Sequence, residues 1–477
     1  MNVMGQLRVL SDDQMQIVHD KACELLWEKG ITFEADSTIE ILKKHGVKVE
    51  DHTAYFTKDL VEKCLEQVPK EFTVEAPNHA RDVKIGGNGI AIHPAGGEVF
   101  MADYNGNRHK ATRQDFIDLQ KVYQACENVD IAGYQPISPM DIPERTKGLY
   151  MTLDSFKYSD KPILAAMELE TIEKKKEVFD LYDIAFGKGY LDEHYVTWHC
   201  VCPNSPFFFS NFCCEGIEMF ASHNQPVLLV SAPMSGISAP VYLLSTIILA
   251  LTESLAGLVL AQLIKPGIPV IMSASLTYGY MRSASWECAS PDTALMLAAI
   301  VQMDRQFYGL PARAQCGVTS SKCVDFQAGM ETMQSFLWCA AAGVNITSQT
   351  VGALADLLTC SLEKVVLDDE LISRVRYMMN GLKFDEEQMC WDDLMAAKPL
   401  DNFLLSESTM MHFREFWAPT ISDWTSVDEW ENAGKKHIDE IAHARVQKIL
   451  ADAPDSLLDP EAEKEMLGYI KHVESTL

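Results

Sequence analysis

Apolar positions along the chain follow two periods. Met15, Val18, Ala22, Leu25 and Leu26 recur at helical spacing behind a Ser11–Gln14 capping box, and the run ends at Gly30. The same spacing predicts helices over 37–44 and 58–67, the second stopping before Pro69. The Gly-rich stretch 86–104 changes period: Ile90 and Ile92, then Val99 and Phe100, read as a β-hairpin or meander. From Thr112, which caps a helix with Asp115, short β-type runs take turns with helices. The runs are 129–134, 162–166, 195–201, 226–230, 269–274, 311–316 and 344–347, with an eighth at 402–405. The helices are 143–158, 171–186, 213–222, 240–264, 291–308 and 326–342, followed by others around 368–379 and 391–397. Pro162, Pro226, Pro269 and Pro311 each open a run directly behind a helix, where a missing N–H does least harm. In the tail, Ser426 with Glu429 caps one helix and Asp459-Pro460 opens another.

Strands alternating with helices predict an α/β protein. A TIM (β/α)8 barrel is favoured over an open doubly wound sheet, because no Gly-x-Gly-x-x-Gly follows the first strand. The expected organisation is an N-terminal helical and hairpin extension over 1–111, the barrel over 112–420 and a helical tail over 421–477. The apolar stretch 241–264 is long enough to cross a bilayer. Glu253 within it, and Lys265-Pro266-Gly267 leading straight into a strand, instead predict a helix enclosed between protein layers.

Charge and cysteines narrow the partners. Lys and Arg total 40 against 68 Asp and Glu, a net charge of −28, which argues against nucleic acid and anionic membranes as partners. Thirteen cysteines without regular spacing, behind an N-terminus that lacks an apolar signal core, predict reduced thiols in the cytoplasm. The tail from Ser426 is left to pack on its own barrel or on a second subunit, and a homo-oligomer is expected.

In a barrel the active site lies at the C-terminal strand ends. Those ends carry small hydroxyls, amides and aromatics, with Glu168 and Glu407 as the only acids, so a glycosidase-type carboxylate pair is not visible. His199, Cys200 and Cys202 form a cluster of potential zinc ligands, with Cys316 as a distant third party. His199 and Cys200 point to opposite strand faces, however, and an inward His199 beside buried apolar cysteines is favoured, so no metal is assigned. Arg313 and Gln315 share one face of their run. A buried Arg313 needs an anion, either an internal acid such as Glu168 or Glu253 or a ligand carboxylate, with Arg282 as the alternative anchor. The aromatics Phe207, Phe208, Phe209, Tyr278, Tyr280 and Trp198, with Phe100 and Tyr104 from the hairpin, are candidates for a cation-binding cage. Asn204, Gln315, Gln349 and His199 are candidate hydrogen-bonding groups. Composition and spacing thus reach a barrel with an aromatic, polar pocket.

Longer motifs carry a resemblance. The segment 226–240 (PVLLVSAPMSGISAP), the helix end 253–263 (ESLAGLVLAQL), Ser290-Pro291-Asp292, and 308–313 (YGLPAR) are similar to the trimethylamine methyltransferase family. So are 325–329 (DFQAG) and 362–370 (LEKVVLDDE), and the likeness runs from about 90 to 417. The resemblance implies a TIM barrel that moves a methyl group from an amine to the cobalt of a separate corrinoid protein, with no cofactor bound tightly. The family's trimethylamine branch carries pyrrolysine, in or near the place of 317–324. This chain has only the standard twenty residues and so resembles the non-pyrrolysine branch, which acts on quaternary amines such as glycine betaine, proline betaine, carnitine or γ-butyrobetaine. A quaternary nitrogen leaves as a neutral tertiary amine, so positioning rather than acid–base catalysis is expected. The rival readings are a zinc-dependent barrel methyltransferase and a non-catalytic betaine-binding protein.

Overall fold

Eight short parallel strands, each followed by a helix, curl into one barrel in the computed structural model, which describes residues 2–164, 171–280, 282 and 285–476. In chain order the barrel strands are β1 (Ala91–Ile92), β2 (Ala132–Gly133), β3 (Ile163–Leu164), β4 (His199–Val201), β5 (Val227–Ser231), β6 (Val270–Ala274), β7 (Ala312–Gln315) and β8 (Ile346–Ser348). Strands β4 to β8 pair in sequence, and β8 then pairs with β1, Thr347 opposite Ile92. The Asp130 and Ile131 amides carry the ladder from the Ile92 carbonyl towards β2, which pairs with β3. Between β3 and β4 the Tyr182 hydroxyl donates to the Ile163 carbonyl at 2.7 Å and lies 3.2 Å from the Thr197 hydroxyl.

Two expectations are corrected by this closure. The first barrel strand is Ala91–Ile92, drawn from the segment read as a hairpin ahead of residue 112. Two residues are too few to show alternation. The run 402–405 forms no strand: β8 already pairs with β1, and Leu404 and Leu405 are exposed at 73% and 82%. The Glu168 position lies outside the described residues.

The wall helices are α4 (Arg113–Ala125), α5 (Lys147–Tyr158), α6 (Ile172–Phe186), α7 (Asn211–Ser222), α8 (Leu243–Ile264), α9 (Pro291–Gln302), α10 (Phe326–Ala342) and α11 (Leu362–Met379). They follow α1 (Asp12–Glu28), α2 (Asp36–Lys44) and α3 (Lys58–Gln67) of the N-terminal part, and the capping boxes at Ser11 and Thr112 form as read. α1, α2 and α3 pack on the outer side of α8, while β5 and β6 cover its inner side. A helix covered on every side is apolar all round, which accounts for the membrane-like composition of α8. Glu253, its one acid, is buried and fully employed, as described below. The helix α9 stops early, since a π-helical turn over Met303–Phe307 replaces its expected last turn.

In the tail, α12 (Ile438–Asp452) packs on α4 and α11, and α13 (Pro460–Ser475) packs on α5 and α6. The Lys157 ammonium meets Glu463 at 2.6 Å, and His443 meets Glu363 at 2.8 Å. The tail therefore wraps its own barrel.

Candidate active site

Alternation along the strands sorts their side chains. Ala91, Ile131, Leu164, Trp198, Leu228, Ile271 and Ile346 pack with one another inside the barrel and form its apolar floor. One pleat higher on the same faces lie Cys200, Ser273 and Arg313, then Ser275, Gln315, Ser348 and His93 at the C-terminal end.

Arg313 is 2% exposed. Its Nη1 donates to the Ser275 hydroxyl at 3.0 Å and to the Ser273 hydroxyl at 3.3 Å, while its Nε has no partner among the described residues. Among the described residues no carboxylate pairs with Arg313. Glu253, one internal partner considered for it, is held elsewhere: it accepts from the Ser205 hydroxyl at 2.7 Å, the Phe207 amide at 2.9 Å and the Ser231 hydroxyl. Burial raises the Glu253 pKa, and these three donors work against the shift.

His93 stands at the end of β1. Its Nδ1 lies 3.0 Å from the Pro94 carbonyl, which fixes the proton on Nδ1 and leaves the Nε2 lone pair without a partner among the described residues. Burial, and then the Arg313 charge, push its pKa down to about 3, so the ring is neutral. Tyr134 meets the His93 ring edge to face at 4.4 Å, and Trp198 lies roughly parallel to it at 6.4 Å. The Cys200 and Cys202 sulfurs are 3.7 Å apart. The Cys202 thiol, and then the Arg313 charge, draw the Cys200 thiol down to about 7 against its burial, and Cys202 moves up in turn.

Four buried polar atoms in this region are unpaired among the described residues: Arg313 Nε, His93 Nε2, Trp198 Nε1 and Gln349 Oε1. Each unmet buried group costs ~1–3 kcal/mol, and such groups collect where a polar ligand or water completes them.

Of the residues singled out from sequence, Arg313, Gln315, Gln349 and Trp198 come together here. Gln349 takes a left-handed φ of 65° and donates from Nε2 to the Gly96 carbonyl at 3.1 Å, tying the loop after β8 to the loop after β1. The inward His199 is corrected. Trp198 and Cys200 occupy the inner face, so His199 turns to the helical layer, between Phe212 and Phe220 and against Gly216 of α7. Burial, and then Lys175, lower its pKa to about 3. A shared zinc site with Cys200 is geometrically closed by that turn, and Cys316 packs in the outer core beside Cys339. Among the described residues no three His, Cys, Asp or Glu side chains gather as a metal site.

Asn204 and Phe207 lie in the loop that Glu253 holds over the strand ends; Asn204 is exposed and Phe207, at φ 64°, is half-buried. Tyr278 and Tyr280 sit in a small sheet formed by Met234–Ser235, Thr277–Tyr280 and Ser285–Glu287, where Tyr278 is half-buried and Tyr280 exposed. Arg282 is exposed beyond it. Phe100 and Tyr104 belong to neither group: the Arg108 guanidinium covers Phe100 at 4.1 Å, and Tyr104 stacks on His443 at 4.3 Å.

This barrel, with a buried cation and aromatics at its C-terminal end, has known counterparts. The family model described as trimethylamine methyltransferase (MTTB) matches residues 1–477. The chain belongs to the trimethylamine methyltransferase (MTTB) family. A glycine betaine methyltransferase of Desulfitobacterium hafniense (strain Y51) is 35% identical, with 98% of each chain covered. A trimethylamine methyltransferase MttB of Methanosarcina barkeri (strain Fusaro / DSM 804) is 27% identical, covering 98% of this chain and 95% of that one. The crystal structure of the Methanosarcina barkeri monomethylamine methyltransferase (MtmB) superposes with a TM-score of 0.54 at 13% identity, over 94% of this chain and 89% of that one, a likeness of fold.

In this MTTB-family barrel, sequence reasoning missed His93, Tyr134, Ser273 and Ser275. The serines were recoverable, since Ser273 and Ser275 alternate on one face of β6 and its following residue. His93 was hidden by the two-residue strand that carries it. Among the described residues, what the arrangement offers chemically is a fixed cation with an unused donor, an aromatic wall and a neutral lone pair, but no pair of carboxylates.

Proposed function

We propose that this MTTB-family methyltransferase takes a methyl group from a betaine-type quaternary amine, glycine betaine first, and passes it to Co(I) of a corrinoid carried by a separate protein. The observation that carries the reading is Arg313, buried and, among the described residues, unpaired with any carboxylate and without a partner at Nε. A betaine brings what the site lacks. Its carboxylate answers Arg313, supported by Ser273 and Ser275, and the methyl faces of its ammonium suit the His93, Tyr134 and Trp198 rings. Neutral His93 keeps a second positive charge away from the ammonium.

The protein's part is to orient one N–CH3 bond towards the barrel mouth and to exclude water. The amine departs neutral, so no side chain has to donate a proton. Co(I), the methyl acceptor, arrives on the partner protein, which covers the mouth during transfer. The 35% identical glycine betaine methyltransferase and the absence of pyrrolysine from the sequence favour a quaternary amine over trimethylamine. Its thirteen cysteines, all free thiols, suit a cytoplasmic enzyme.

The test is methyl transfer to reduced cob(I)alamin, followed as methylcobalamin absorbance, with glycine betaine, proline betaine, carnitine, γ-butyrobetaine and trimethylamine offered singly. Turnover with a betaine and none with trimethylamine is expected. Turnover with trimethylamine alone contradicts the proposal, as does silence with all five when repeated with the cognate corrinoid protein.

A further inference from the structure

The chain leaves the body of the molecule after Met379 and returns at Trp417, whose indole N–H donates to Ser373 at 3.0 Å. Not one residue from 380 to 416 is buried. Yet this arm is apolar. Phe384, Trp391 and Phe416 are 88%, 63% and 77% exposed, and eleven further large apolar residues between Leu382 and Phe413 are exposed with them. The three rings alone present on the order of 400 Å², at ~150–250 Å² for a full aromatic side chain. Monomers rarely leave patches beyond a few hundred Å² uncovered. The helical turns Glu386–Met389, Trp391–Ala396 and Glu407–His412 are each too short to stand unsupported.

The same molecule also carries an apolar groove. Cavities of about 500 and 580 Å³ flank the outer faces of α10 and α11. Phe326 of α10 and Tyr377 and Met378 of α11 are exposed there at 86%, 50% and 44%. Arm and groove meet at the arm's root, where Phe416 and Trp417 line the larger cavity.

We propose that the 380–416 arm is exchanged with a second copy of this chain, each arm lying on the α10–α11 groove of the other. A surface that supplies both halves of the contact is what a twofold-symmetric exchange requires. The eleven further residues bring the arm to the scale of a stable interface, roughly 800 Å² per partner. Position selects the occupant. α11 runs back from the mouth, and Arg376 near its end donates to the Ile90 carbonyl at the start of β1. The arm therefore springs from the end of the barrel opposite the mouth, so a protein delivering cobalt to the mouth does not need it. A second copy can hold it on the outer helix faces rather than on the strand ends inside the barrel.

The experiment uses the full chain. Sedimentation and light scattering across the micromolar range are expected to give twice the chain mass or an even multiple. The double variant Phe384→Glu/Leu405→Glu is expected to shift towards monomer with its helical circular dichroism kept. If that variant fails to fold, the wild type decides: mixed 15N-labelled and unlabelled copies, cross-linked through lysines, are expected to yield copy-spanning peptides from Lys383 or Lys398. A monomeric wild type overturns the proposal. So does an oligomer with no copy-spanning arm peptides, or one unchanged in mass in the folded variant. Arm cross-links that go to an added corrinoid protein instead also overturn it.

Discussion

At the residue scale, Arg313 carries the account. That it shares a face with Gln315 was legible, because Pro311 starts the strand and alternation puts residues 313 and 315 together; that this face is the inner one came from packing. The face of His199 was not legible. Alternation gives two faces without saying which is inner, and only packing shows that the lumen takes Trp198 while Gly216 of α7 leaves a hollow for the imidazole. A charge-assisted hydrogen bond contributes ~1.5–3 kcal/mol, so Arg313→Ala is expected to raise KM for a betaine roughly 10- to 100-fold with a smaller loss in kcat. Steady-state kinetics check this; an unchanged KM would remove Arg313 from the site. Asp304 gives a separate prediction. It is fully buried in the π-helical turn, its carboxyl oxygens have no partner among the described residues, and burial holds its pKa well above the carboxylate range. The folded protein keeps this proton while the unfolded chain releases it, so the associated stability is whole at acid pH and is lost as pH rises towards the folded pKa. Asp304→Asn is expected to melt higher than wild type, with the gap widening between pH 5 and pH 8 by up to about 1.4 kcal/mol per pH unit. A gap independent of pH would contradict a buried neutral acid.

At the element scale, the helices were the readable part of the sequence, since caps and the 3.6-residue period are local. The Ser11, Thr112 and Ser426 capping boxes and the Pro460 start form as read. Strands of two or three residues carry too little pattern, which hid β1 and let the run 402–405 pass for a strand. That run is apolar without lying in any sheet. The packing of α7 on β4 yields the prediction here. A Cβ at Gly216 would stand 2.4 Å from the His199 ring, which Phe212 and Phe220 flank. Gly216→Ala is expected to cost ~1–3 kcal/mol by overpacking. Adding His199→Ala should recover part of the loss, and the coupling is read from a denaturant double-mutant cycle. Additive effects would show that the ring does not sit where the structure puts it.

At the scale of the whole molecule, two ends have two tasks. The mouth gathers Arg313, His93, Tyr134 and Gln349 from strands far apart in sequence, so no window of residues could announce it. The other end sends out the arm. The family was visible in long motifs such as 226–240, which lie on β5 and the loop after it, and the barrel architecture followed from the alternation of elements. The closing measurement compares kcat/KM for methyl transfer from glycine betaine and from choline, a quaternary amine without a carboxylate, in wild type and Arg313→Ala. The account predicts that wild type strongly prefers glycine betaine and that the variant loses most of that preference. Equal use of both amines by wild type, or a preference that survives in the variant, would contradict a carboxylate held by Arg313.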